Sequence, residues 1–239
     1  MNEAKPPKPV PILIVISYWD GDKNLAKKLV DLIVGMQSAH AQREAEVLLV
    51  CRQDCKIDKD MVAKLATRFN VHTLISFSPF KGWPQGCNGM FSSAMIHISQ
   101  WMGEYEAVYW MEADCVPMRP SWYHELTAAW RARGPMTKIM GWIGDCDGGG
   151  NGTHITGCAI YHPKIAVLLP QITSSCTIPW DYEHRRLIIG VGERTNLIEN
   201  AYRAVNATPA TLDLPFAVIH GFKDESLLDL VSRKYLTKS

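Results

Sequence analysis

An α/β fold is what the sequence predicts: a single domain with a mainly parallel central sheet flanked by helices. Three features carry that prediction. Apolar runs too continuous for a one-sided sheet recur as candidate strands at residues 11–17, 45–51, 71–77 and 107–111. Segments with apolar residues at helical spacing separate them. The strand-plus-helix unit repeats at about 30 residues, the length of a βαβ crossover.

The elements follow in order. Pro11 to Ser17 reads as a strand buried on both faces, and Asp20-Gly21-Asp22 as a turn and helix cap. Leu25, Ala26, Leu29, Val30 and Ile33 then mark a helix, residues 45–51 a second strand, and Met61, Val62, Leu65 and Phe69 another helix. A third strand is expected at 71–77. Residues 80–90, with Gly82, Gly86 and Gly89 between aromatics, read as a loop opening a helix through Phe91, Ala94, Met95, Ile98 and Met102. The fourth strand, 107–111, runs straight into Glu112-Ala113-Asp114. Beyond it the pattern loosens. A helix is expected at 122–130, extended segments at 139–143 and 155–160, and a glycine-rich loop at 145–152. Helices around 181–189 and near 196–205, a short strand at 216–219 and a final helix at 225–235 complete the reading.

Composition sets outer bounds. The 239 residues, 47% hydrophobic and 21% charged, suit one globular domain at 11–239 behind a proline-rich arm at 1–10, and argue against disorder. With 25 Lys+Arg against 24 Asp+Glu the net charge is +1, which disfavours a generic electrostatic binder of nucleic acid or membrane. An enzyme with a local basic groove stays compatible. No 18-residue apolar stretch occurs, and residues 12–16 are too short for a signal core, so a cytoplasmic protein without membrane contact is expected. Seven cysteines (Cys51, Cys55, Cys87, Cys115, Cys146, Cys158, Cys176) show no paired CxxC spacing, which fits free thiols in a reducing compartment.

Two motifs carry the strongest chemistry. Glu112 and Asp114, one residue apart at the end of an apolar strand, project to the same side and can reach one hard cation. The C-terminal ends of such strands are where open α/β sheets bind ligands. His220-Gly221-Phe222-Lys223-Asp224 follows the late strand; its imidazole is a good transition-metal ligand and its lysine can neutralise phosphate oxygens.

In the order of these features the chain resembles the GT-A glycosyltransferases over residues 11–224. The resemblance implies a Rossmann-like GT-A domain, with a nucleotide-sugar half at 11–114 and an acceptor half at 115–239. It implies Mn2+ or Mg2+ held by Asp114 with Glu112 and His220, and a UDP-sugar donor. Glu112 departs from the family's usual first Asp. The donor would be met by Ser17, Tyr18 and Asp20 after the first strand, by Arg52 and Asp54 after the second, and by Lys81, Asn88 and Gly89. Ala113, Gly157 and Lys223 complete that set, and Tyr18 is expected to stack on the base. Asp181 or Glu183 is expected as the base that removes the acceptor proton; Asp181 suits a helix cap equally well. The loop at 145–152 is expected either to close over substrate or to be a passive turn.

The combination E-A-D-C-V-P, H-I-T-G, W-D-Y-E-H and H-G-F-K-D is similar to small virus-encoded or base-modification-associated GT-A proteins. That similarity implies transfer to 5-hydroxymethylcytosine or another hydroxymethylpyrimidine in viral, including bacteriophage, DNA. Arg131, Arg133, Arg185 and Arg186 would then contact phosphates. Transfer to a glycan or protein is the alternative; convergence of the four arginines favours DNA and their scatter favours a glycan. A nucleotidyltransferase would carry a basic glycine-rich loop after the first strand, which residues 17–22 lack. An inactive binding module would have no need of the late His and Lys.

Overall fold

A computed structural model describes residues 10–37, 45–100, 105–145, 152–174 and 177–236. Residues 1–9 of the proline-rich arm, most of the 145–152 loop with Cys146, Met102 and Cys176 lie outside these residues; Val10 opens the first strand.

The first four strands are β1 (Val10–Tyr18), β2 (Glu46–Cys51), β3 (Asn70–Ile75) and β4 (Tyr105–Glu112). Helices α1 (Lys23–Met36), α2 (Lys59–Leu65) and α3 (Gln85–Gln100) connect them. β5 (Cys115–Pro117), α4 (Trp122–Ala132), β6 (Ile139–Gly141), β7 (Ile143–Asp145), β8 (Thr153–Ile155) and β9 (Ile160–Tyr161) follow. Then come α5 (Ile165–Leu168), α6 (Trp180–Glu183), α7 (Arg185–Gly190), β10 (Gly192–Arg194), β11 (Ile198–Asn200), β12 (Val218–His220) and α8 (Ser226–Leu236).

The main sheet runs β10-β6-β9-β4-β1-β2-β3, parallel except for β9, which lies antiparallel to both β4 and β6. Residues on both sides of Asp114 therefore build one sheet. A small sheet, β11-β12-β5, pairs β12 antiparallel to β5 and sets His220 opposite Cys115. Two apolar layers cover the main sheet. Leu25, Leu29 and Ile33 of α1 pack with Ile12, Ile14 and Ile16 on one face, while Phe91, Ala94 and Met95 of α3 pack with Leu13 and Val15 on the other. That division is the period-two alternation of a strand buried on both sides. No helix among the described residues is long and apolar enough to cross a membrane.

Three expectations change. The helix expected near 196–205 is instead β11: Ile198 pairs with Val218 and is buried, and Arg203 has φ +60°, outside helical geometry. The helix at 181–189 divides into α6 and α7 at His184. Asn88 and Gly89 lie inside α3 rather than in the preceding loop. A Cβ on Gly89 would strike the Ser78 side chain, so the glycine lets that loop lie against the helix.

Asp58 caps α2, accepting from Asp60 N (3.0 Å) and Met61 N (3.1 Å), and its second oxygen meets Lys23 and Lys27, both at 3.1 Å. Burial alone would raise its carboxyl, but the Met61 N–H and the two lysines hold it down to about 2. Asp58→Ala is expected to cost about 1–2 kcal/mol, seen as a fall of about 2–8 °C in melting temperature. The folded pKa lies below the unfolded value, so the stabilisation is complete above pH ~4 and is lost as pH falls through about 2. In the alanine variant that acid-dependent part of the melting curve should flatten.

Candidate active site

The candidate site lies at the C-terminal ends of β1, β2, β4 and β12, faced by the N-terminus of α3. β4 places Glu112 beside Ser17 of β1, and the chain turns at Asp114 into β5. Because β5 pairs with β12, His220 is drawn against the acidic triplet. Its Nε2 stands 3.4 Å from Asp114 Oδ1 and 3.6 Å from Glu112 Oε2. The Nδ1–H donates to Asn200 Oδ1 at 3.1 Å, fixing the ring so that Nε2 faces the carboxylates. Lys223 Nζ approaches Asp114 Oδ2 to 3.8 Å.

The decisive detail is what these atoms lack. Asp114 Oδ2 and His220 Nε2 are both buried without a hydrogen-bond partner among the described residues. Buried polar atoms are nearly always satisfied, so two such atoms on adjoining side chains describe a seat for something else. A carboxylate pair with one imidazole is a fitting donor set for a divalent cation. Burial opposes charge on Asp114, but His220 and Lys223 outweigh it and hold the carboxyl at about 2. Burial likewise opposes charge on His220 and Lys223; Cys158 and Asp114 raise the imidazole, and Asp114, Glu112 and Asp22 raise the ammonium.

Gly221 allows this arrangement. Its φ is +116°, and a Cβ there would lie 2.7 Å from Ala201 O and 2.8 Å from Ala201 C, both rigid backbone atoms. Gly221→Ala is therefore expected to lower stability by about 1–3 kcal/mol and to shift His220 and Lys223 together. Thermal unfolding with a metal titration on the same samples would check both effects.

Other expected residues divide. Arg52 and Asp54 form a forked pair, with Arg52 Nη2 at 2.9 Å from Asp54 Oδ2, and Lys81 joins at 3.3 Å. The Arg52 guanidinium lies 5.1 Å from the centre of the Trp19 ring. Asp20 is exposed on the turn after β1. Tyr18 does not stack on a ligand: it is 1% exposed, its hydroxyl accepts from Asp58 N and donates to Lys56 O, and burial pushes its pKa up to about 12. The next residue, Trp19, is the exposed aromatic at this edge. Ser17 is buried and donates to Met111 O (3.2 Å), and the Ala113 side chain is buried in the core. Asn88 spends its amide on Ile178 O (2.9 Å) and Trp180 N (3.2 Å), pinning α6 to α3.

That clamp positions Asp181. Trp180 stacks on Phe91 at 3.9 Å, a contact worth about 0.5–1.5 kcal/mol beyond its buried area. Asp181 then accepts from Gly157 N at 2.9 Å and from Tyr182 N at 3.0 Å. Burial raises its carboxyl; His154 opposes this and Glu112 adds to it. Glu183 points outward and is exposed. The geometry therefore brings Asp181, and not Glu183, towards the acidic centre.

The four arginines do not converge. Arg131 is bound bidentately to Glu106 at 2.7 and 2.8 Å, near the start of β4. Glu112 closes that strand, six residues or about 20 Å further on. Arg133 lies 3.8 Å from the Trp130 ring centre at the same far end. Arg185 stacks over Tyr182 at 4.5 Å, and with Arg186, Glu183, His184 and Leu187 it lines an open cleft of about 280 Å³.

Asp22 and Cys87 are among the cleft residues that the sequence reading does not select. Asp22 was expected only to cap α1, yet its side chain makes no cap bond. Its carboxyl is raised by burial, lowered by Lys223, and raised again by Asp114 and Glu112, which places it in the cleft. Cys87, in the first turn of α3, faces the same charges; burial and Glu112 push its thiol up to about 12. Position after a parallel strand was the available signal for Asp22; for Cys87 there was none.

This architecture is that of the GT-A glycosyltransferases. Among similar solved structures is the galactosyltransferase LgtC in complex with donor and acceptor sugar analogs, at TM-score 0.53 and 12% identity over 87% of this chain and 86% of that one. A glycosyltransferase involved in glycosylation of the major capsid of PBCV-1 gives 0.58 and 12%, covering 92% and 98%. Mouse xyloside xylosyltransferase 1 gives 0.55 and 9%, covering 88% and 97%. No family profile and no curated protein matches the chain in sequence.

Proposed function

We propose that this protein is a metal-dependent glycosyltransferase moving a sugar from a UDP-sugar to an acceptor hydroxyl of a glycan. The observation that carries the reading is the pair of buried atoms without a hydrogen-bond partner among the described residues, Asp114 Oδ2 and His220 Nε2, beside Glu112 and Lys223. Asp114, Glu112 and His220 would hold Mn2+ or Mg2+, which when bound offsets the charge of a leaving diphosphate. Lys223 adds a fixed positive charge where the phosphate oxygens depart. Trp19, Arg52 and Asp54 offer a stacking face and a polar edge for the base and ribose. Asp181 has a carboxyl raised towards the range useful for taking a proton from the acceptor hydroxyl.

The scatter of Arg131 and Arg133 is what favours a glycan over duplex DNA, whose phosphates need several cations on one face. Arg185 and Arg186 at their cleft keep hydroxymethylated DNA, the viral acceptor, as a second reading. The test is incubation with Mn2+ and several UDP-sugars, offering oligosaccharides, hydroxymethylated DNA or plain DNA, with products resolved by mass. Sugar on an oligosaccharide is expected. Sugar on 5-hydroxymethylcytosine would move the acceptor to DNA, and no donor consumption under any condition would overturn the transferase reading.

A further inference from the structure

Cys158 takes no part in the chemistry above, yet it stands at its centre. Its Sγ, a Glu112 carboxylate oxygen and a His220 ring nitrogen all lie within 4.8 Å of one another. A tetrahedral ion bonded at about 2.0–2.3 Å to oxygen, nitrogen and sulfur holds its ligand atoms about 3.3–3.8 Å apart. A buried cysteine by itself is usually an inert packing group. This one is grouped with Glu112 and His220, and the His220 Nε2 is buried without a hydrogen-bond partner among the described residues; Asp114, 2% exposed, stands 3.4 Å from the same imidazole nitrogen.

We propose that Cys158 is a direct ligand of the cation held by Glu112, Asp114 and His220, so that the centre is a mixed oxygen, nitrogen and sulfur site. Such a site takes Zn2+, Co2+ or Cd2+ more tightly than Mg2+, because a thiolate is a soft donor and Mg2+ favours oxygen. On binding, the S–H bond breaks, its proton passes to solvent, and the sulfur lone pair forms the metal bond; nothing is oxidised or reduced. The inference deepens the transferase reading for the role of the ion, while the ligand set rests on its own geometry. Cys158 precedes β9, and β9 pairs with β4, so the strand that supplies Glu112 also fixes the sulfur.

The test is titration of the full chain with Co2+. A near-ultraviolet sulfur-to-cobalt charge-transfer band is expected at one equivalent, retained in Cys87→Ser and lost in Cys158→Ser and Cys158→Ala. Zn2+ affinity should fall in both Cys158 variants by more than the about 10–100-fold that follows loss of a partner behind a ligand. X-ray absorption of the Zn2+-loaded wild-type chain needs no variant and should show one sulfur at about 2.3 Å. Only oxygen and nitrogen neighbours, or a band that survives Cys158→Ser, would overturn the proposal. Sugar transfer with Mn2+ by a protein showing no sulfur ligation would leave the transferase reading standing. Sulfur ligation without consumption of any UDP-sugar would remove that reading and leave the metal centre.

Discussion

Replacing Asp114 with alanine is expected to lower sugar transfer at least about 10³-fold, equivalent to ~4 kcal/mol of transition-state stabilisation. The size follows from what the carboxylate does. It is the more deeply buried of the two acids in the triplet, and one of its oxygens has no hydrogen-bond partner among the described residues. In the proposed reading it supplies much of the charge that would hold the cation against a diphosphate. Asp114→Asn keeps the shape and removes the charge, so the two variants should fail alike. Product formation with Mn2+, beside circular dichroism and a melting curve, provides the check. Turnover within tenfold of wild type in a folded Asp114→Ala protein would remove this residue from the metal centre.

Lys223→Ala should come next, with kcat reduced about 10²–10³-fold, the range for losing one donor aimed at developing charge. Donor KM should change less, because ground-state diphosphate still meets the cation. The ammonium is exposed to solvent, and Asp114, Glu112 and Asp22 raise its pKa and keep it charged well above the working pH. Lys223→Arg should recover part of the rate, and Lys223→Met none. Equal losses in kcat/KM and donor affinity, with kcat intact, would assign this lysine to binding alone.

Much of the fold was legible because both faces of the main sheet are covered. Apolar runs such as Ile12–Ile16 leave little choice but a buried parallel strand, and the crossovers follow from it. Glu112 and Asp114 were legible for the same reason, standing where a long apolar run ends. The second half was harder. Its strands are two or three residues long, too short to show a period, and β11 borrows its order from pairing with β12 rather than from its own sequence. Tyr18 and Trp19 illustrate the limit at the site: adjacent aromatics alternate across a strand end, and only the packing of Tyr18 under Asp58 says which one faces outward. Nothing local marks Cys158 as a metal ligand, because Glu112 and His220, with which it is grouped in space, are distant in sequence.

The strand order has a consequence for how the chain is made. β1, β2, β3 and β4 emerge from the ribosome first and can pair at once, but the outer edge of β4 is completed only by β9, at Ile160 and Tyr161. Until then the nascent chain carries a bare apolar strand edge, the feature most open to mispairing with another chain. The proposed set of cation ligands is assembled later still, when β12 brings His220. Biosynthesis thus produces an early, half-built sheet that has the carboxylates but no imidazole, and chaperone demand should peak in that interval.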